Sequence, residues 1–233
     1  MPFSDLPERL REVRDRIEAA RRRGGHGQAV TIVAVTKTHG PDAVQAAYDA
    51  GLRDVGENRV QEALPKMDAT TAPVRWHLIG HLQRNKVKAL PRFDLLHSLD
   101  SARLADAVNE LDAPNHQATV VLVQVNVAGE ETKGGFERPE WRAEAERMRG
   151  LTNVTVRGVM TMAPLNADDR ILRNVFAGTR EARDIFRAAG HPATELSMGM
   201  SNDYEVAVEE GATLIRLGTI LFGAREGPEV PNA

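Results

Sequence analysis

Residues 31–37 read Thr31-Ile32-Val33-Ala34-Val35-Thr36-Lys37, and a loop, Thr38-His39-Gly40-Pro41, follows. The first five positions are apolar or β-branched without alternation. That is the pattern of a strand covered on both faces, as in a parallel sheet. Val120-Val121-Leu122-Val123-Gln124-Val125 repeats it. Across the chain, short β-branched runs begin near Thr31, Arg53, Val74, Asp94, Ala118, Val154, Ala193 and Thr213. Helical stretches separate most of them: Asp42 to Ala50, Val60 to Met67, Ala102 to Leu111, Glu140 to Arg149, Ile171 to Ala189 and Asp203 to Glu210. Strands alternating with helices form parallel βα units. Eight such units predict an α/β fold, a single-domain (β/α)8 TIM barrel. A doubly wound open sheet is the runner-up, but no G-x-G-x-x-G follows the first strand and no G-x-x-x-x-G-K-[ST] occurs.

One further helix precedes the first strand. Ser4-Asp5-Leu6-Pro7-Glu8 reads as its start, and Leu6, Leu10, Val13 and Ile17 recur at helical spacing. Arg21-Arg22-Arg23 before Gly24-Gly25 reads as its solvated C-terminal end, favoured by the helix dipole, rather than as a polyanion patch. The domain is expected over 1–226. Gly227 to Ala233 is rich in Pro and Gly, so 227–233 reads as a short flexible tail.

The 233 residues are near the usual size of one α/β barrel. A net charge of −3 gives no global reason to expect nucleic acid as partner. The absence of cysteine excludes disulfides, thiol catalysis and cysteine metal sites, and fits a reducing compartment. The first 20 residues lack the apolar core of a signal peptide, and no apolar run is long enough to span a bilayer. The expectation is a cytoplasmic protein with no membrane partner.

Five segments carry the chemistry. Lys37 ends the first strand, where a barrel places its active site, and partial desolvation there frees a lysine amine for a carbonyl. After the second strand, Asn58 is placed to cap the next helix, and the Glu57 and Asn58 side chains are expected at the mouth. After the third strand, His77 and His81 stand four apart. Without H-E-x-x-H, and with Leu78-Ile79-Gly80 between them, they are not read as metal ligands. The last two strands are followed by Ser197-Met198-Gly199-Met200-Ser201-Asn202-Asp203 and Gly218-Thr219. Small residues, hydroxyls and amides there suit a phosphate, in the usual phosphate position of this fold. Arg216 lies on the eighth strand itself. Inside a barrel it needs a partner, either an acidic residue or a ligand.

These residues together resemble the pyridoxal phosphate homeostasis protein family, single-domain relatives of the N-terminal barrel of alanine racemase. The likeness runs from about Val30 to Arg225. It rests on Ala34-Val35-Thr36-Lys37-Thr38, Gly56-Glu57-Asn58, Trp76 to Lys86, Gln124-Val125-Asn126, Lys133-Gly134-Gly135-Phe136, Leu196 to Ser201, Arg216-Leu217-Gly218-Thr219 and Phe222-Gly223-Ala224-Arg225. The family pattern often has aromatics where Val55 and Arg59 stand, and Ser where Thr36 stands. The resemblance implies pyridoxal 5′-phosphate (PLP) as a Schiff base on Lys37. It implies phosphate contacts from Ser201, Gly218 and Thr219 with the Met200 backbone close, Arg216 facing the pyridine nitrogen, and Asn58 and His81 at the same mouth. Lys133 is implied as a second, weaker PLP contact.

Arginine beside the ring nitrogen opposes its protonation and weakens PLP as an electron sink. Racemisation needs a second acid–base group, supplied in alanine racemase by a tyrosine of a separate β domain. Here the chain is expected to end without one, and its two tyrosines, Tyr48 and Tyr204, fall in helical segments. The expectation is therefore a PLP carrier or buffer without catalytic turnover. Apo-PLP enzymes are its expected partners and a monomer its expected state. An amino-acid racemase is the alternative, and a ligandless scaffold the third reading.

Overall fold

Alternation along each strand decides what its residues meet. In the computed structural model, which describes residues 3–111, 117–130 and 133–223, β1 (Thr31–Val35) places Ile32 and Ala34 against the helices. Val33 instead packs with Leu95, Leu122, Met160 and Leu214. Those five come from five different strands, a meeting possible only in the lumen of a closed sheet. The other strands are β2 (Asp54–Glu57), β3 (Arg75–Leu78), β4 (Leu95–Leu99), β5 (Thr119–Gln124), β6 (Val154–Met160), β7 (Glu195–Ser197) and β8 (Leu214–Leu217). All pair in parallel in sequence order, and β8 returns to β1 through Thr31↔Leu214 and Val33↔Arg216. The sheet is a closed eight-stranded (β/α)8 barrel, which sets the open doubly wound alternative aside.

Helices α1 (Leu6–Gly24), α2 (Pro41–Asp49), α3 (Val60–Asp68), α4 (Ala102–Asn109), α5 (Trp141–Met148), α6 (Asp169–Ala188), α7 (Tyr204–Glu209) and α8 (Thr219–Phe222) surround it. Between β3 and β4 the chain makes a 3₁₀ segment, Arg84–Arg92, not an α-helix. Pro91 lacks the amide a longer helix would use there. The large core lies between barrel and helices, with Trp141, Phe176 and Phe186 fully buried. No helix among the described residues is long and apolar enough to cross a membrane.

Helix α1 buries Leu6, Leu10, Val13, Ile17 and Ala20, and Gly25 closes it at φ 71° with its amide on the Arg21 carbonyl. Its basic end is a solvated terminus as expected: Arg22 and Arg23 are exposed, Arg23 pairing with Glu209 of α7 at 2.5 Å, and the half-buried Arg21 pairs with Glu18 at 2.8 Å. The expected domain end at 226 and the tail 227–233 lie outside the described residues.

Candidate functional site

The C-terminal ends of the strands open onto a cavity of about 1630 Å³. Lys37, Asn58, His81, Met200, Ser201, Arg216, Gly218 and Thr219 all line it, as does Lys133. Residues scattered over the whole chain meet because every loop that follows a barrel strand emerges on the same face.

On the β1 side, alternation turns Val35 and Lys37 toward the cavity and Thr36 outward. Lys37 is half-buried. Behind it, the Thr36 hydroxyl donates to Glu57 Oε1 at 2.5 Å. Lys66 Nζ donates to the same oxygen at 2.5 Å and to the Thr36 carbonyl at 2.8 Å. Glu57 therefore does not face the mouth as expected. It is fully buried on the outer face of β2, because Asn58, one residue on, takes the inward position. Nor does Asn58 cap the next helix: Arg59 is the N-cap of α3 and makes no side-chain capping bond.

On the opposite side, two loops converge. The Ile220 amide donates to Ser201 Oγ at 3.4 Å, which brings the β7–α7 loop against the start of α8. Gly199 sits at φ +95°, and a Cβ there would lie 2.6 Å from the Ala207 side chain, so the turn beneath Met200 requires glycine. The Met200 amide donates to Asp203 Oδ1 at 2.5 Å. Burial pushes the Asp203 carboxyl above its usual range, against the pull of that amide and of the Arg216 charge.

Arg216 is 5 % exposed. It donates to Ser197 Oγ at 2.6 Å and to the Thr161 carbonyl at 2.9 Å. Burial lowers its pKa to about 10, opposed by the nearby Asp203 carboxylate, so it stays charged at neutral pH. Of the two partners expected for it, an acidic side chain in direct contact is not what is found. Neutral oxygens hold it, and one side remains on the cavity.

The two histidines, His77 and His81, part company. Leu78 of β3 packs outward in the core between barrel and helices, so His77, its neighbour on the strand, points into the lumen, bonded to Asp54 and His97. His81 reaches the rim, where Asp100 Oδ2 lies 2.7 Å from its Nδ1. Lys133 is anchored by Glu130 at 2.7 Å and by the Ala163 carbonyl at 3.1 Å. Its loop folds back on β5: Asn126 donates to the Glu130 and Lys133 carbonyls, and Gln124 to the Gly134 carbonyl.

Sequence reasoning missed several residues here. Asp100 follows β4, and the strand-end rule that found Lys37 would have found it too. Ser197, expected in the loop after the seventh strand, ends β7 facing the lumen. Lys66 is in the last turn of α3, where a lysine reads as solvated, and no local signal announces its burial.

The chain matches the alanine racemase N-terminal domain family over residues 9–226. A protein of Aquifex aeolicus named pyridoxal phosphate homeostasis protein is 44% identical over 223 residues, covering 94% of this chain and 98% of that one. The solved structure of PipY from Synechococcus elongatus, with PLP bound, is 36% identical with a TM-score of 0.81, covering 94% of this chain and 100% of that one. Alanine racemase of Corynebacterium glutamicum shares the fold, with a TM-score of 0.71 at 17% identity over 93% of this chain and 63% of that one. The extent of these matches leaves no large part of the described barrel unaccounted for, and the chain belongs to the pyridoxal phosphate homeostasis protein family, within the alanine racemase N-terminal domain family.

Proposed function

We propose that this protein binds PLP, holds it as a Schiff base on Lys37, and serves as a carrier or buffer of the cofactor without turnover. The observation that carries the reading is the donor set of one cavity. It offers an amine (Lys37), a buried cation (Arg216), and hydroxyls and backbone at Ser201, Gly218 and Thr219. An amine suits an aldehyde, hydroxyls suit a phosphate, and a donor-only guanidinium suits an unprotonated ring nitrogen. When bound, PLP supplies an aldehyde that condenses with amines and a ring whose electron-withdrawing power depends on the charge of its nitrogen.

In this reading Lys37 anchors the aldehyde carbon. Ser201, Gly218, Thr219 and the Met200 backbone hold the phosphate, and Arg216 holds the ring nitrogen. Asn58 and His81 contact the ligand along the mouth, and Lys133 is a second, weaker contact. The PLP-bound PipY relative and the family's naming support it. Neither Tyr48 nor Tyr204 lines the cavity: Tyr48 lies under the Arg53 guanidinium and Tyr204 is 2 % exposed on α7. That favours a carrier over a two-base racemase. Apo-PLP enzymes are the proposed recipients and the cytoplasm the proposed compartment. The proposed state is a monomer, since the large apolar side chains exposed among the described residues are Leu165 and Ile171 alone.

The test is the visible absorbance of the protein with PLP, before and after borohydride, with mass spectrometry of the reduced peptide. A band that reduction removes, with added mass on the Lys37 peptide and loss of both in Lys37→Ala, supports the reading. An unchanged band in Lys37→Ala overturns the anchor, and no band at all overturns the cofactor.

A further inference from the structure

Below Arg216 the lumen does not turn apolar at once. Ser197, His97, His77 and Asp54 follow one another, each buried. Arg216 Nη1 lies 2.6 Å from Ser197 Oγ, which lies 2.9 Å from His97 Nδ1. His97 Nε2 lies 2.9 Å from His77 Nδ1, and His77 Nε2 lies 3.0 Å from Asp54 Oδ1. Arg75 closes the far end, holding both Asp54 oxygens at 2.7 and 2.6 Å.

Both ends of this line have a fixed sense. A guanidinium only donates and an ionised carboxylate only accepts. Burial raises the Asp54 pKa, but the bonds from His77 and Arg75 outweigh burial and hold it below the usual range. His77 must therefore present an N–H to Asp54 from Nε2. Its Nδ1 then accepts from His97 Nε2, because the proton of Ser197, whose oxygen takes the Arg216 N–H, has His97 Nδ1 as its acceptor. Burial, and beside it the Arg216 charge, keeps His97 neutral. Its Nδ1 then accepts the Ser197 proton, and the Ser197 oxygen accepts from Arg216.

We infer that Arg216 is positioned by a one-way donor line, Arg216 to Ser197 to His97 to His77 to Asp54, whose sense is set by Asp54 at the opposite end of the lumen. Reversing it with the same number of protons would put two lone pairs face to face between His77 and Asp54. The line consumes one N–H of Arg216, the Thr161 carbonyl another, and the guanidinium is left turned to the cavity. His77, His97, Ser197 and Asp54 are thus positioning residues for whatever acceptor the cavity receives. That this acceptor is a pyridine nitrogen rests on the PLP reading; the line itself does not.

The experiment is long-range proton–nitrogen NMR of the histidine rings in the ligand-free protein. Both rings are expected as neutral Nε2–H tautomers at neutral pH. A Nδ1–H tautomer of His97, or a charge on either ring, overturns the inference without any variant. Asp54→Asn presents either an acceptor or a donor to His77. It is expected to mix the tautomers of His97, which Asp54 does not touch, and an unmixed His97 would mean that each bond is set only locally. With PLP added, the same variant is expected to shift the visible band. Altered tautomers with an unaltered band would make the line structural and remove its positioning role. Failure to take up PLP at all would strike the cofactor reading and leave the ligand-free tautomers to judge the line.

Discussion

The Lys66 ammonium lies 2.5 Å from the Glu57 carboxylate behind β1 and β2, with side chains 6% and 0% exposed. The same ammonium holds the carbonyl of Thr36, whose peptide bond leads to Lys37. A buried pair gains little over apolar packing, but removing one partner leaves an uncompensated charge. Lys66→Met is expected to cost about 3–5 kcal/mol in urea unfolding. The double variant Lys66→Met with Glu57→Leu is expected to recover most of that. A single-variant loss well under ~1 kcal/mol would mean that water or another group takes over the Glu57 charge.

His97 gives stability a pH dependence of definite sign. Burial first, then the Arg216 charge, holds its pKa well below the ordinary value of 6.5. Below the unfolded value the unfolded chain binds a proton that the native ring refuses. Stability from this group is therefore complete above about pH 6.5 and falls by about 1.4 kcal/mol per pH unit as pH drops toward the folded pKa. Urea unfolding between neutral and mildly acidic pH should show this slope, and His97→Gln should flatten it. Parallel wild-type and variant profiles would assign the acid sensitivity to other groups.

The barrel was legible because burial on both faces leaves an unalternating apolar run, and Thr31–Val35 and Val120–Val125 both carry one. The cavity followed from a rule of position: Lys37, Ser201 and Thr219 stand where strands end, whatever their packing. What alternation hides was not legible. Glu57 and Asn58 are neighbours of similar polarity, and only the strand's pleat sends one outward to Lys66 and the other to the mouth. The lumen line was hidden for a related reason. His77, His97 and Ser197 come from β3, β4 and β7, and their contacts depend on register across the barrel, which no local pattern encodes.

Ser201 separates phosphate recognition from the covalent anchor. Its hydroxyl meets the Ile220 amide at 3.4 Å, a long bond that a phosphate oxygen can readily replace. A hydrogen bond to a charged group is worth about 1.5–3 kcal/mol, so Ser201→Ala should weaken PLP affinity by roughly 10- to 100-fold. At saturating PLP the labelled peptide should still contain Lys37. Titration by visible absorbance measures the first, and peptide mapping after borohydride the second. Unchanged affinity would move the phosphate away from the β7–α7 loop.

Gly80 clamps the mouth between two strands. A Cβ there would lie 2.4 Å from the Asn58 carbonyl oxygen and 2.9 Å from its Cα. The Gly80 carbonyl is itself held by the Ser98 hydroxyl at 2.6 Å, so the loop cannot simply retreat. Gly80→Ala should therefore displace Asn58, at an overpacking cost of about 1–3 kcal/mol. If Asn58 contacts the ligand, the variant should also weaken PLP capture, measured by absorbance titration at a temperature where it remains folded. Asn58→Ala should then weaken capture without the loss of stability. A destabilised Gly80→Ala that captures PLP as well as the parent would make the close approach a matter of packing alone and take Asn58 out of the binding site.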